Sequence, residues 1–384
     1  MANISEYLDW RGDVPFSLDP FNEADNLILA ELAYTDFEGV VPGEEDPAGI
    51  SIQEAAALYF TLHTEEELLK RQQFTRMAPF LLKKLAAAPR FAGLRLSSYV
   101  NDIDLEKEAQ FSAVVYRMPG ITYIAYRGTD DTIVGWKEDL NLSYQYETAG
   151  QRNAVQYLNR HASEAQETFL VGGHSKGGNF AVFASAFCLP EVQAKISRVY
   201  SNDGPGFITV VTETPGYQAI LPRVRSIIPE GSLIGILLSG DQEHEVVKST
   251  EKGIMQHDAL SWEVYVNRFS AAEARTYGSL FADRTIRNWL QDLKFEDRKL
   301  FIDAVFSALT GSGAETFPEL FSDKSKFAAE IMKSMGALPK ERQQELREIL
   351  KRFVKSGTDI LLSDVRNLTV SHLPGLPEKR NADG

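Results

Sequence analysis

The sequence predicts an α/β fold, a mostly parallel sheet covered by helices, with helical extensions at both ends. Three observations predict it. From about residue 98 to residue 269, short apolar runs alternate with helical stretches. One of those runs leads through a glycine-rich turn at Ser175 straight into a helix pattern. On either side of this region, apolar residues recur at helical spacing instead.

In chain order, Leu27, Ile28 and Leu32 begin the first helical group, and residues 55–60 and 80–85 continue it. Ser51, three residues before Glu54, marks a helix start. Pro42, Gly43, Pro47 and Gly49 punctuate a loop between helices. Residues 111–116 and 121–126 read as two strands joined at Met118-Pro119-Gly120. A helix is expected over 150–166, a strand over 168–172, an apolar helix over 179–189 and a strand over 196–201. Further strands are expected at 224–228 and 245–249. A helix start is expected at Ala259-Leu260-Ser261-Trp262. Beyond Ala271 the chain is charged and helical, with Leu346, Ile349, Leu350 and Phe353 on one side of a helix over 340–355. The expected organisation is an N-terminal helical extension over 1–97, an α/β core over 98–270 and a C-terminal helical region over 271–384.

Composition bounds the function. The 384 residues are 43% apolar, enough for a sizeable core. A formal charge of −14 argues against nucleic acid as a partner, because phosphate repels an acidic surface. With Cys188 as the single cysteine, no internal disulfide forms, which fits a reducing, cytoplasmic setting. The N-terminus has no apolar signal-peptide run, and no apolar stretch approaches the roughly 20 residues that span a bilayer.

The chemistry concentrates in Gly173-His174-Ser175-Lys176-Gly177-Gly178, a Gly-x-Ser-x-Gly pattern between a strand and a helix. That context puts a serine on a sharp bend with its hydroxyl exposed, and only small neighbours let strand and helix pack so closely. A tight turn carrying an ordinary serine is the bland alternative. Acyl transfer also needs two oxyanion donors, expected from the N–H groups of Lys176 and of Thr129, in Tyr126-Arg127-Gly128-Thr129.

Six histidines are available as the base: His63, His161, His174, His244, His257 and His372. His257 follows the last candidate strand and is the expected partner, while His244 in Asp241-Gln242-Glu243-His244 reads as an exposed acidic turn. His174, beside the serine, is expected to point elsewhere. The expected acid is Asp203, directly after the strand over 196–201, with Glu230 and Asp241 as alternatives. Asp258 is too close in sequence to His257 to orient it. No Cys/His cluster or His-Glu-x-x-His motif is present, so neither metal nor organic cofactor is implied.

These residues resemble the class 3 lipase branch of the α/β hydrolases. The resemblance rests on Tyr126-Arg127-Gly128-Thr129, Trp136-Lys137-Glu138-Asp139-Leu140 and Gly173-His174-Ser175-Lys176-Gly177-Gly178, in that order. Nearly the whole chain is similar to the bacterial Mbeg-like group of lipase-like proteins. Tyr7-Leu8-Asp9-Trp10-Arg11-Gly12-Asp13, Ser201-Asn202-Asp203-Gly204-Pro205-Gly206-Phe207 and Gln256-His257-Asp258 carry that likeness. The resemblance implies a serine hydrolase of carboxylic or lipid esters. A silent interaction module, or a thioesterase or peptidase on the same scaffold, are the alternatives. Two departures stand out. Class 3 lipases carry their acid in Asp-Ile-Val-Pro, where this chain has Ser226-Ile227-Ile228-Pro229, and pancreatic-type lipases place theirs where Asp203 falls. Lys176 replaces the usual leucine, and is expected to meet an anionic substrate group or solvent.

Overall fold

A computed structural model describes residues 2–70, 75–104, 109–129, 138, 141–162, 168–240, 242–311, 333, 336 and 339–371. Helices α1 (Ile4–Arg11) and α2 (Glu23–Leu32) open the chain, each capped by an asparagine, Asn3 and Asn22, in a reciprocal capping box. Strand β1 (Ile50–Ser51) leads into α3 (Ile52–Leu62), whose N-cap is Ser51 as expected, followed by α4 (Glu65–Lys70) and α5 (Ala78–Ala87). Then come β2 (Arg95–Asp104), β3 (Ala109–Met118) and β4 (Ile121–Tyr126). The alternating part comprises α6 (Ala149–His161), β5 (Thr168–His174), α7 (Lys176–Phe187), α8 (Pro190–Lys195) and β6 (Ile196–Asn202). It continues through α9 (Thr209–Thr212), α10 (Pro215–Ile220), β7 (Val224–Pro229) and β8 (Glu245–Val247). A small ribbon, β9 (Val264–Tyr265) with β10 (Arg268–Phe269), precedes α11 (Tyr277–Gln291), α12 (Phe295–Gly311) and α13 (Lys340–Ser371).

Strands β1 to β8 form one sheet in sequence order. Pairs from β1 to β4 are antiparallel, and pairs from β4 to β8 are parallel. This is the α/β-hydrolase arrangement that the sequence predicts. Side-chain alternation sorts the two faces. Val114, Tyr116, Tyr123, Ala125 and Leu170 pack against the N-terminal helices. Ala113, Val115, Ile124, Tyr126 and Val171 pack against α6 and α7. Phe207, Ile208, Val211 and Ile220 are buried in that second core.

Some elements differ from expectation. The stretch expected to be only helical also supplies β1 and the start of β2, so the sheet begins upstream of residue 98. Two residues are too few to show alternation, and β2 is irregular between Ser97 and Val100, with Ser98 at φ +56°. The helix expected at Ala259 is a single 3-10 turn, Ala259–Ser261, capped by the Asp258 side chain. The last helix runs on from residue 355 to Ser371. No described helix is long and apolar enough to cross a membrane.

A buried ion pair fastens α2 to the 3-10 turn Pro89–Phe91 that precedes β2. The Arg90 guanidinium donates to both oxygens of Asp25, at 2.9 and 2.5 Å, and both side chains are fully buried. Its remaining N–H groups donate to the carbonyls of Val14, Asp19 and Pro20. Removing one partner leaves an uncompensated charge in a low-dielectric interior. Arg90→Met is therefore expected to destabilise the protein by about 3–5 kcal/mol. Urea unfolding measures this, and a midpoint equal to that of wild type would refute it.

Candidate active site

Ser175 sits between β5 and α7 with φ +57° and ψ −132°, a conformation that L-residues rarely adopt. The surroundings enforce it. The Ser175 N–H donates to the Asn202 carbonyl of β6 at 2.9 Å. A Cβ at Gly173 would collide with the Gly177 backbone, and one at Gly177 with the Tyr126 carbonyl. The doubled glycines thus do the steric work expected of them. The β5 strand ends where α7 begins, so the helix N-terminus brings positive potential to the serine.

Thr129 follows β4 and lines one cavity together with Ser175, His174 and His257. Gly128 lies so close to the Tyr34 hydroxyl and the His174 carbonyl that no side chain fits there. Lys176 is the first residue of α7. Its side chain meets neither substrate nor solvent, contrary to expectation. It is fully buried, its Nζ lies 3.2 Å from a Glu138 carboxylate oxygen and 5.6 Å from the Phe180 ring centroid. Glu138, which sequence reasoning missed, also accepts from the N–H groups of Gln110 and Gly150. Trp136, Asp139 and Leu140 of the same motif lie outside the described residues.

Asp203 stands directly after β6 and has no solvent exposure. Its Oδ2 lies 2.7 Å from His257 Nδ1. Its Oδ1 accepts from Ser232 Oγ at 2.5 Å and from the Gly235 N–H at 3.1 Å. Asp203 itself has φ +49°, held by its N–H donating to the Ile227 carbonyl. Of the alternatives, Glu230 uses its backbone to join Val247 and Thr276, and Asp241 lies outside the described residues.

His174 is more than a bystander of the bend. Its ring packs at a tilt of 32° against that of His257, with centroids 4.6 Å apart, and its Nε2 lies 2.9 Å from the His257 carbonyl oxygen. A carbonyl only accepts, so Nε2 carries the proton. Burial pushes the His174 pKa well below its ordinary value, with the neighbouring His257 adding to the effect, so the ring is neutral. Nδ1 then accepts from the Tyr34 hydroxyl at 3.1 Å, and Glu31 Oε1 lies 3.2 Å from the same nitrogen. Burial, with the repulsion of Asp258, drives the Glu31 pKa well above its ordinary value. Glu31 and Tyr34 come from α2 and the turn after it, about 140 residues upstream, and no local motif announces them.

The other histidines lie elsewhere. His63 stacks on Tyr59, and His161 meets Glu44. His372 lies outside the described residues. His244 is not the exposed turn residue expected: it is half-buried, with Nδ1 2.8 Å from Ser226 Oγ. Among the described residues, no group of three His, Cys, Asp or Glu side chains is placed to hold a metal.

Burial, then Arg275, pulls the His244 pKa from its ordinary 6.5 to about 4. Between those values the unfolded chain binds a proton that the folded one refuses. The resulting stability is complete above pH 6.5 and is lost as pH falls towards 4. The term is worth up to about 3 kcal/mol. A His244→Gln variant is expected to lose less stability than wild type between neutral pH and pH 4, as measured by denaturant unfolding at each pH. Parallel pH profiles for the two proteins would refute the assignment.

A crystal structure titled as that of M37 lipase aligns at 15% identity over 56% of this chain and 85% of that chain, with a TM-score of 0.30. No curated protein matches. The model of the Mbeg1-like family matches residues 85–307, which hold the sheet from β2 onward together with Ser175, Asp203 and His257. That span is more than half of the 384 residues, and the chain belongs to the Mbeg1-like family.

Proposed function

We propose that this protein is a serine hydrolase of carboxylic esters, lipase-like in its chemistry. The observation that carries the reading is the combination of a strained, cavity-lining Ser175 with a cavity-lining His257 whose Nδ1 meets a buried carboxylate. Ser175 Oγ attacks the acyl carbon and gives its proton to His257 Nε2. The oxyanion forms beside the N–H groups of Thr129 and Lys176. The C–O bond to the alcohol then breaks, and the leaving oxygen takes the proton from His257. Water, deprotonated by the same imidazole, releases the acid from Ser175. Asp203 fixes the histidine tautomer through Nδ1–H and stabilises the imidazolium. His174 holds the His257 backbone by its carbonyl, so the base is positioned at both ends.

The apolar rim of the cavity, with Ile254, Met255 and Ala259, suits an acyl group better than a charged substrate. The burial of Lys176 against Glu138 takes away the cation beside the serine that favoured an anionic substrate.

A fluorophosphonate probe and a series of p-nitrophenyl esters test this proposal. Wild type is expected to label and to turn over esters, and Ser175→Ala to do neither. Asp203→Asn is expected to lower kcat by about 10⁴-fold, because the imidazole is then held in the wrong tautomer. A folded wild-type protein that neither labels nor cleaves any ester would leave the silent interaction module as the better reading.

A further inference from the structure

A second cavity, of about 380 Å³, lies between the sheet's 230–239 turn and the C-terminal helices. It shares no lining residue with the cavity of Ser175 and His257. Its walls are almost wholly apolar, with Ile286 and Trp289 from α11, Phe301 from α12, Phe353 from α13 and Leu237 from the turn. One charged residue, Arg298, lines it. Arg298 donates to the Ser143 and Leu290 carbonyls at 2.6 and 2.5 Å, and its buried Nε has no hydrogen-bond partner among the described residues. Among the described residues no carboxylate is within ion-pair range of it. Burial lowers its pKa with no acid offsetting the effect. A half-buried guanidinium that is short of an anion, beside a greasy cavity, defines its own ligand: a carboxylate on an apolar tail.

We infer that this cavity is a binding site for a single-chain fatty carboxylate, with its tail against Trp289 and Phe301 and its carboxylate on Arg298. At about 380 Å³ the cavity falls within the range of small-ligand pockets, and a medium-length acyl chain suits its apolar walls. The tail would lie against the outer face of the turn whose inner face holds Asp203 through Ser232 and Gly235. The site stands apart from the proposed reaction, because nothing in it uses Ser175.

Calorimetric titration of the full chain with monomeric dodecanoate, joined to hydrogen exchange, tests the inference. Wild type and Ser175→Ala are both expected to bind one equivalent with equal affinity, and exchange at residues 234–238 is expected to slow. Octanoate should bind about 100-fold more weakly, through four lost methylenes. Dodecanol should bind about 10-fold more weakly than dodecanoate, and Arg298→Gln should erase that difference while leaving dodecanol binding intact. Ile286→Trp, or Leu350→Trp at the more exposed edge, should abolish binding in a protein with a wild-type circular dichroism spectrum. The inference is overturned if wild type does not bind dodecanoate, or if both filled variants bind it as tightly as wild type. It is equally overturned if dodecanol matches dodecanoate on wild type, or if binding requires Ser175. The last result would move the ligand to the reaction site and leave the ester-hydrolase reading standing, whereas probe labelling fails or succeeds independently of dodecanoate.

Discussion

The backbone at Ser175 is the constraint around which the rest is arranged. A residue with φ +57° and a side chain costs about 1–3 kcal/mol and persists only where its surroundings over-determine it. Here β6 takes the Ser175 N–H through the Asn202 carbonyl, while the Asn202 side chain donates to the Gly173 carbonyl at 3.0 Å. Asn202 is itself held by Asn26 of α2 at 2.9 Å, and Tyr123 donates to Asn26 Oδ1 at 2.8 Å. A chain of buried amides therefore runs from the first helices to the back of the bend. Neutral hydrogen bonds of this kind are worth most when every member is satisfied, and that is what lets the strained residue sit at the sheet edge.

Two buried carboxyls flank the paired imidazoles, and their surroundings differ. Asp203 receives a hydroxyl and a backbone N–H besides the histidine, three donors that suit an anion. Glu31 Oε1 lies 3.2 Å from His174 Nδ1, and burial with the repulsion of Asp258 raises its pKa well above the ordinary value. The two carboxyls thus differ in their partners: hydrogen-bond donors surround Asp203 behind His257, while burial disfavours the anion of Glu31 behind His174. An imidazolium forming on His257 would thus be drawn towards Asp203.

What could be read in the sequence follows how local each cause is. The bend was legible because its reason is steric and confined to six residues, Gly173 to Gly178. Asp203 and His257 were placed by their order after strands. The paired strands at 111–126 and the helix cap at Ser51 were legible for the same local reason. The fate of Lys176 was not, because it depends on Glu138, 38 residues away, and a lysine beside a serine says nothing of burial. His244 was misread because Asp-Gln-Glu-His looks solvated, while its burial is set by Ser226 on a neighbouring strand. β1 and the irregular β2 escaped notice because a two-residue strand and a bulge carry no periodic signal.

The helical extensions each reach a different arm of the site. From the N-terminal side, Glu31 and Tyr34 brace His174, and Asn26 braces the bend. From the C-terminal side, Ser279 of α11 donates to the Ser232 carbonyl at 2.8 Å, and the Thr276 N–H donates to the Glu230 carbonyl. Those bonds fix the turn that presents Ser232 and Gly235 to Asp203. Catalytic geometry tolerates errors of only about half an ångström, and the sheet alone positions strand ends, not the far sides of the loops that follow them. The extensions supply that missing support, so in this chain the serine and the acid are each held between the sheet and a helix that the sheet does not contain.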